Sequence, residues 1–389
     1  MVDKTGIWPV FVRECKRIAV SKICIWGIFG TTLLTLVIII WMMDAGLPTK
    51  IPIAVVDYDN TSTSRSLIRQ LDAFPKTDIK FKSLSFKEAR VRMERDEIYA
   101  ILTIPKDFTA DAMSGDRPKL VYYTNNAFLV SGSLLFQDLK TISTLAAASV
   151  GLQTGQAKGY TEGQLMPILQ PISVESHPLN NPWLNYSVYL APTMIPCILQ
   201  MIILLFTVSC FGAEVKSGTG RELLRLSGNS ISKTLIGKLL PYTTIFLLIA
   251  LLFMSVFYYY CNFPMNSGFW PMFFNYLCLI LASQGVGVIF IASFMNYRFA
   301  VSISSLIGSL SLSLVGVSFS VYSMDSTLTA LSNLLPIRHF FMIYIDQSLN
   351  GIPIGYSMYQ YAALLAFVLI SLFFVGRLER FLKEDVYEP

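Results

Sequence analysis

Residues 23–43 read ICIWGIFGTTLLTLVIIIWMM, a run without one charged side chain. As a helix rising 1.5 Å per residue it covers about 30 Å, the thickness of a bilayer's hydrocarbon core. A secretory signal fits poorly, because the run exceeds the roughly 7–15 apolar residues of an h-region and no small-residue cleavage site follows. A retained membrane helix is expected. Working outward from it, further apolar stretches occur at Val188–Phe211, Pro241–Phe263, Phe269–Phe294, Phe299–Tyr322 and Tyr359–Gly376. Charged residues are only 14% of the chain and hydrophobic ones 53%, against about 25% charged in soluble domains. The expected class is an α-helical integral membrane protein with six transmembrane helices. A large extracytoplasmic α/β domain, residues 44–187, is inserted between helices 1 and 2, and helices 2–6 occupy 188–389.

Lys and Arg set the orientation. Lys4, Arg13, Lys16, Arg17 and Lys22 precede the first span, and Lys216, Arg221, Arg225, Lys233 and Lys238 lie between the second and third. Arg298 lies between the fourth and fifth, and Arg377, Arg380 and Lys383 follow the sixth, while Asn262–Gly268 is uncharged. Both termini are therefore expected in the cytoplasm and the inserted domain outside. The net charge of +5 is accounted for by this placement and does not point to nucleic acid. The six cysteines (15, 24, 197, 210, 261, 278) all fall in or beside the spans, so the inserted domain relies on an apolar core without disulfides. His177 and His339 stand far apart, and no Cys/His spacing suggests a metal; each histidine reads as structural or solvated.

Within the inserted domain, strands are expected at Ile51–Asp57, Ile79–Leu84, Ile98–Ile104 and Lys119–Thr124. Helices are expected at Thr61–Ala73, from Ser85 with Glu88 completing a capping box, and at Asp107–Met113. Alternation of this kind means an α/β layered domain. Residues 127–152 have helical spacing and read as a long stalk returning toward the membrane, with Pro171, Pro178 and Pro182 marking an extended re-entry. Asp57 and Asp59 follow the first strand, where open α/β sheets often bind ligands, and two carboxylates there could hold a cation. The same residues also suit a turn leading into a helix N-terminus.

On the expected cytoplasmic side, Trp8–Lys22 has amphipathic spacing. Trp8, Phe11, Val12, Cys15, Ile18 and Ala19 lie on one face and Arg13, Glu14, Lys16 and Arg17 on the other. It reads as an interfacial helix with its basic face toward anionic headgroups, or as an extension of the first span. Residues 214–238 read EVKSGTGRELLRLSGNSISKTLIGK. Thr219 and Glu222 have capping-box spacing, so a short helix should start at Gly220 and end at Ser227-Gly228-Asn229. Ser230 or Ser232 would cap the next helix. Leu223, Leu224 and Leu226 give the short helix apolar surface that it cannot bury alone, which suits a partner's grip or a loop lying against the membrane.

The arrangement resembles the ABC-2 type permeases, membrane subunits of bacterial ATP-driven exporters. Their pattern E-x-x-x-G-T…E-x-L…S…GK-L-L-P is matched by Glu214, Gly218-Thr219, Glu222, Leu224, Ser232 and Gly237-Lys238-Leu239-Leu240-Pro241. IPIAVVDYDNTSTSRSLIRQLDA, IYAILTIPKDF with Ser114-Gly115, and Leu335-Pro336-Ile337-Arg338-His339 with Gly351 resemble other family segments. The chain departs at Lys216, where many members are acidic, and by one extra residue before Glu222. The resemblance implies a permease that dimerises with itself or a similar chain, in the bacterial cytoplasmic (inner) membrane. It implies two copies of a separate cytoplasmic ATPase that bind ATP and Mg. Residues 219–226 would be the coupling helix and Trp8–Lys22, with Trp8, Phe11, Arg13 and Arg17, the interfacial connecting helix. Glu214, Gly218, Thr219, Glu222, Leu223, Leu224, Ser232 and Lys238 are the candidate coupling residues.

The chain lacks a G-x-x-x-x-G-K-[ST] loop, a nucleophile elbow and H-E-x-x-H, so no cofactor of its own is expected and it is not expected to be an enzyme alone. No charge falls within the six spans as drawn, which disfavours a proton antiporter and suits an amphipathic or lipid-like substrate. In the fifth span Ser305, Ser309 and Ser313 form one small-residue ridge, and Gly308, Gly316 and Ser320, with Leu312 between, form another. They would pack helices within one chain, or form a dimer interface or exit path. Phe340, Phe341, Met342 and Tyr344 suit a short re-entrant or interfacial helix on the outer side. In the exporter reading the outer domain would guide substrate or dock a periplasmic adaptor; the rival is an ATPase-independent membrane-anchored binding or scaffold protein in which the outer domain does the work. A lipid- or peptidoglycan-directed enzyme ranks third.

Overall fold

The apolar stretches form helices in a computed structural model that describes residues 5–43, 46–83, 85–114, 116, 118–170, 181, 185–317 and 319–384. The chain starts with α1 (Ile7–Val20). Next, α2 (Lys22–Ile25), a π-helical turn at Trp26–Gly30 and α3 (Thr31–Met42) make one apolar helix. There follow β1 (Ile51–Asp57), α4 (Ser62–Asp72), β2 (Thr77–Ser83), α5 (Phe86–Glu94) and β3 (Ala100–Ile104). After these come α6 (Phe108–Ser114), β4 (Val121–Thr124), α7 (Leu129–Ala157) and α8 (Glu162–Leu169). The remainder is helical: α9 (Tyr186–Lys216), α10 (Gly220–Leu226), α11 (Ile231–Met254), α12 (Phe269–Phe294), α13 (Tyr297–Leu314), α14 (Ser326–Asn333), α15 (Pro336–Ile343), α16 (Met358–Phe373) and α17 (Val375–Glu384). Chain contacts divide it into two units, Ala45–His177 and the rest.

In the helical unit six helices among the described residues are long and apolar enough to cross a membrane. A seventh crossing is possible if the pair Ser326–Asn333 and Pro336–Leu349, bent by 84°, counts as one. The bend follows from Pro336 at the first turn of α15, which starts a helix but cannot continue one. Phe340, Phe341 and Tyr344 are buried there, so the aromatic stretch is a helical, inward-packed element. α9 and α12 are central: 67% and 61% of their apolar windows are buried, against 17% for Ile354–Phe373.

One reading of the spans needs correction. The fifth helix stops at Leu314, and Gly316 follows in a bend at φ +100, so Gly308, Gly316 and Ser320 do not form one ridge. Gly308 faces inward: a Cβ there would lie 2.5 Å from Met201 Cγ, so α13 packs against α9 within the chain. Ser305, Ser309 and Ser313 are exposed on a neighbouring stripe of the helix. The helices also run past the spans as drawn, so Glu214, Lys216, Lys233, Lys238 and Arg298 belong to them. The spans as drawn hold no charge, and these residues sit in the end turns of the longer helices.

The Ala45–His177 unit carries a sheet in the order β2-β1-β3-β4, with β1 parallel to β2 and β3, and β4 antiparallel to β3. The run IPIAVVD is buried on both faces, by α4 and α7 on one side and α5 on the other. Leu134, Leu135, Leu139 and Ile142 of α7 join that core, so the first half of this helix is part of the domain's packing and not a free stalk. The capping box expected at Ser85 is not formed; Glu88 Oε2 accepts from Ser83 Oγ at 2.9 Å instead. Asp57 and Asp59 resolve as turn residues. Asp57 Oδ1 accepts from the amides of Asp59 and Asn60, both at 3.0 Å, and Asp59 Oδ2 accepts from the hydroxyls of Thr61 and Thr109 at 2.7 and 2.6 Å. Thr61 and Ser64 form the capping box of α4. Among the described residues no cluster suited to a metal ion is present. Leu84, Gly115, Pro171, His177, Pro178 and Pro182 lie outside the described residues.

Candidate functional site

Three helices converge on one charged cluster at the α10 end of the helical unit. On α1, Val10, Glu14 and Ile18 are spaced four apart and form the buried stripe. Arg13 and Arg17 occupy the neighbouring stripe. α9 contributes Glu214 in its last turn, and α11 contributes Lys238 and, four residues on, Tyr242. Glu14, Glu214 and Lys238 are 1%, 0% and 0% exposed.

Glu214 Oε1 accepts from Arg13 Nη1 at 3.2 Å, from Lys238 Nζ at 2.8 Å and from Arg17 Nη1. Its Oε2 accepts from Arg13 Nη2 at 3.0 Å and from the Thr219 hydroxyl. Lys238 Nζ also donates to Glu14 Oε2 at 2.6 Å, and the Tyr242 hydroxyl donates to Glu14 Oε1 at 3.0 Å. Three cations thus enclose two carboxylates. Burial makes each charge depend on its partners, since a buried pair broken from one side costs about 3–5 kcal/mol. Gly237 is what lets α1 come this close. A Cβ at that position would sit 2.8 Å from the Ile7 carbonyl oxygen and 2.9 Å from Val10 Cβ.

α10 is bracketed by two matching turns. At the end of α9, Gly218 N donates to Val215 O at 3.1 Å and Thr219 N to Glu214 O at 2.9 Å, the two bonds of a Schellman motif. At the end of α10, Gly228 N donates to Arg225 O at 3.0 Å and Asn229 N to Leu224 O at 2.8 Å. Gly218 and Gly228 have φ of +64 and +74, the left-handed conformation that each motif needs at that position. Thr234 donates to the buried Ser227 hydroxyl at 2.7 Å and ties the second turn to α11. The amide of Gly6 donates to Leu226 O at 2.9 Å, joining the start of α1 to the end of α10.

Several sequence expectations change here. α10 starts at Gly220 as expected, but Thr219 makes no cap for it; its hydroxyl is taken by Glu214, and Glu222 is exposed. Leu223 and Leu224 are 0% and 4% exposed, covered by the chain itself, since α10 packs on α1, α9, α11 and α17. α17 was not anticipated as a helix. Leu378, Phe381 and Leu382 give it one buried stripe, and Arg221 Nε of α10 donates to Lys383 O at 2.9 Å. The exposed side chains of residues 216–233 are therefore largely polar, with Lys216, Arg221, Glu222, Arg225 and Lys233 among them. Ser232 is exposed in the first turn of α11, and the N-cap Ser230 makes no side-chain cap bond. Arg13 and Arg17 point to Glu214, which leaves Lys16 as the exposed cation of α1's middle turns. Trp8 is 70% exposed and stacks on Phe11 at 5.1 Å, in keeping with a helix lying at an interface.

Glu14, expected on the polar face of α1, is instead buried, because Val10-Glu14-Ile18 places a carboxylate in the middle of an apolar stripe. His339 is 3% exposed, with Nε2 at 2.9 Å from Asn333 O, a structural role. A family model described as "ABC-2 family transporter protein" matches residues 22–377. A search of curated proteins finds no match.

Proposed function

The chain belongs to the ABC-2 family of transporter proteins, and on that premise we propose that it is the permease subunit of an exporter driven by a separate cytoplasmic ATPase. Having no phosphate-binding loop of its own, it leaves ATP and Mg to that partner and carries out no hydrolysis itself. The observation that carries the reading is the buried cluster of Glu14, Glu214 and Lys238 beside α10. Through it, and through the two Schellman turns, α10 cannot move without moving α1, α9 and α11. A force applied to α10 thus reaches two long apolar helices and the amphipathic helix together.

The partner's grip on α10 is electrostatic, because the leucines are already buried and the exposed face carries four cations and Glu222. An acidic cleft on the ATPase complements it. In this arrangement the charged end and both termini face the cytoplasm of a bacterial cell, and a second copy or a similar permease completes the pathway. The Ala45–His177 unit lies outside, where it guides substrate or docks a periplasmic adaptor. The apolar middles of the spans suit a hydrophobic or amphipathic substrate.

Arg225→Glu tests the reading. Arg225 is exposed, so the variant should insert and melt as the parent does, yet lose the ATPase on purification. Retention of the ATPase at parental stoichiometry would remove α10 from the interface and favour the scaffold reading.

A further inference from the structure

The Ala45–His177 unit contains a cavity of about 650 Å³ lined by α6, α7, α8 and by Asp116, Pro118 and Leu120. That is within the range of about 300–1,000 Å³ seen for small-molecule sites. Phe108, Leu120, Ala146, Val150, Leu165 and Leu169 supply apolar wall. α8 is held close to α7 by glycines: a Cβ at Gly151 or Gly155 would lie 2.4 Å from Leu169 Cδ2 or Leu165 Cδ2.

Among the described residues Asp116, Ser143, Thr154, Lys158 and Tyr160 break the apolar lining; two of them lie four apart, Thr154 in the last turn of α7 and Lys158 just past its end. The first is the Thr154 hydroxyl, buried and without a hydrogen-bond partner among the described residues. Other hydroxyls on this helix return a bond to the carbonyl four residues back, Thr141 at 2.8 Å, Ser143 at 2.7 Å and Thr144 at 2.9 Å. Thr154 does not, and a buried hydroxyl left unpaired costs about 1–3 kcal/mol. The second group is Lys158, one turn further, exposed and in no ion pair among the described residues. From Ala146 to Lys158 the lining runs about 18 Å along the helix axis, apolar first and cationic last. Among the described residues the other charge on the lining is Asp116, where Ser114 Oγ donates to the carboxylate at 3.1 Å.

We propose that this cavity binds a single-chain amphiphile with an anionic headgroup, its chain along α7 and its polar end at Lys158. The inference concerns a second site and does not depend on the ATPase reading, so binding is measured without ATPase or nucleotide.

The test uses the full chain in nanodiscs of zwitterionic lipid with a diazirine-bearing myristic acid as the probe, followed by mass-spectrometric mapping. Label should fall on residues 108–169. Competition by decanoate, laurate and myristate should strengthen about fourfold per added methylene. Lys158→Ala should weaken laurate at least about tenfold while leaving dodecanol unchanged, as loss of one charge-assisted bond requires. Val150→Trp, which fills the cavity, should abolish labelling. Label elsewhere, competition independent of chain length, or stronger competition by dodecyltrimethylammonium than by laurate would overturn the proposal. If Val150→Trp fails to fold, the chain-length series on the unaltered protein decides alone.

Discussion

Lys238→Met removes one ammonium from between two carboxylates. Its Nζ lies 2.6 Å from Glu14 Oε2 and 2.8 Å from Glu214 Oε1, and all three side chains are buried. The loss is unequal. Glu214 keeps Arg13 and Arg17, whereas among the described residues Glu14 keeps only the Tyr242 hydroxyl. One partner taken from a buried pair costs about 3–5 kcal/mol. At about 2–4 °C per kcal/mol for a unit of this size, Tm should fall by roughly 6–20 °C. Adding Glu14→Leu removes the stranded charge, and most of the loss should return, because apolar replacement of a whole buried pair is often close to neutral. The coupling between the two substitutions should reach at least about 2 kcal/mol. The assay is thermal unfolding of the full chain in detergent, followed with a fluorogenic thiol reagent at the buried Cys197 and Cys210. A Lys238→Met melt within about 2 °C of the parent, or a double variant that falls by the sum of the single losses, would refute the interdependence of the cluster.

Gly237→Val should displace α1 from α11, because the new Cβ would meet the Ile7 carbonyl at 2.8 Å. Protease cleavage within α1 should rise about tenfold, as overpacking of 1–3 kcal/mol implies; the same substitution at Gly376, where nothing lies within 4 Å, should leave it unchanged. Gly218→Ala meets no steric obstacle but keeps a φ of +64, so it should cost about 1–2 kcal/mol in the same thiol melt. Thr61→Ala removes the capping box of α4 and should cost about 1 kcal/mol. It should be seen as faster hydrogen exchange in α4 with no change in the thiol melt, since the Ala45–His177 unit has no cysteine.

The parts of the fold legible in the sequence are those where local pattern and burial agree. IPIAVVD is apolar throughout and becomes the doubly covered β1; ICIWGIFGTTLLTLVIIIWMM lies in one apolar helix. Ser227-Gly228-Asn229 marks the end of α10 as expected, because the left-handed Gly228 is a local requirement. Errors arose where a distant element intervened. Thr219 and Glu222 have capping-box spacing, yet the Thr219 hydroxyl turns to donate to the Glu214 carboxylate and accepts no amide of the next turn. Leu223 and Leu224 looked exposed because α1 and α17, which lie far away in sequence, cover them. The amphipathic stripe of VGRLERFLKE was the signal for α17. Ending the spans at the last uncharged residue hid the cluster, because helices continue into charged turns wherever partners await them.

The central claim is that this chain works with a separate ATPase gripping the α10 face. The most direct test is gentle-detergent purification of the tagged chain from its native host, with mass spectrometry of what accompanies it, for the parent and for Arg225→Glu. The account predicts a P-loop ATPase at near-equal stoichiometry with the parent and its loss with the variant. A parent preparation free of any such ATPase, under conditions that preserve other membrane complexes, would contradict it.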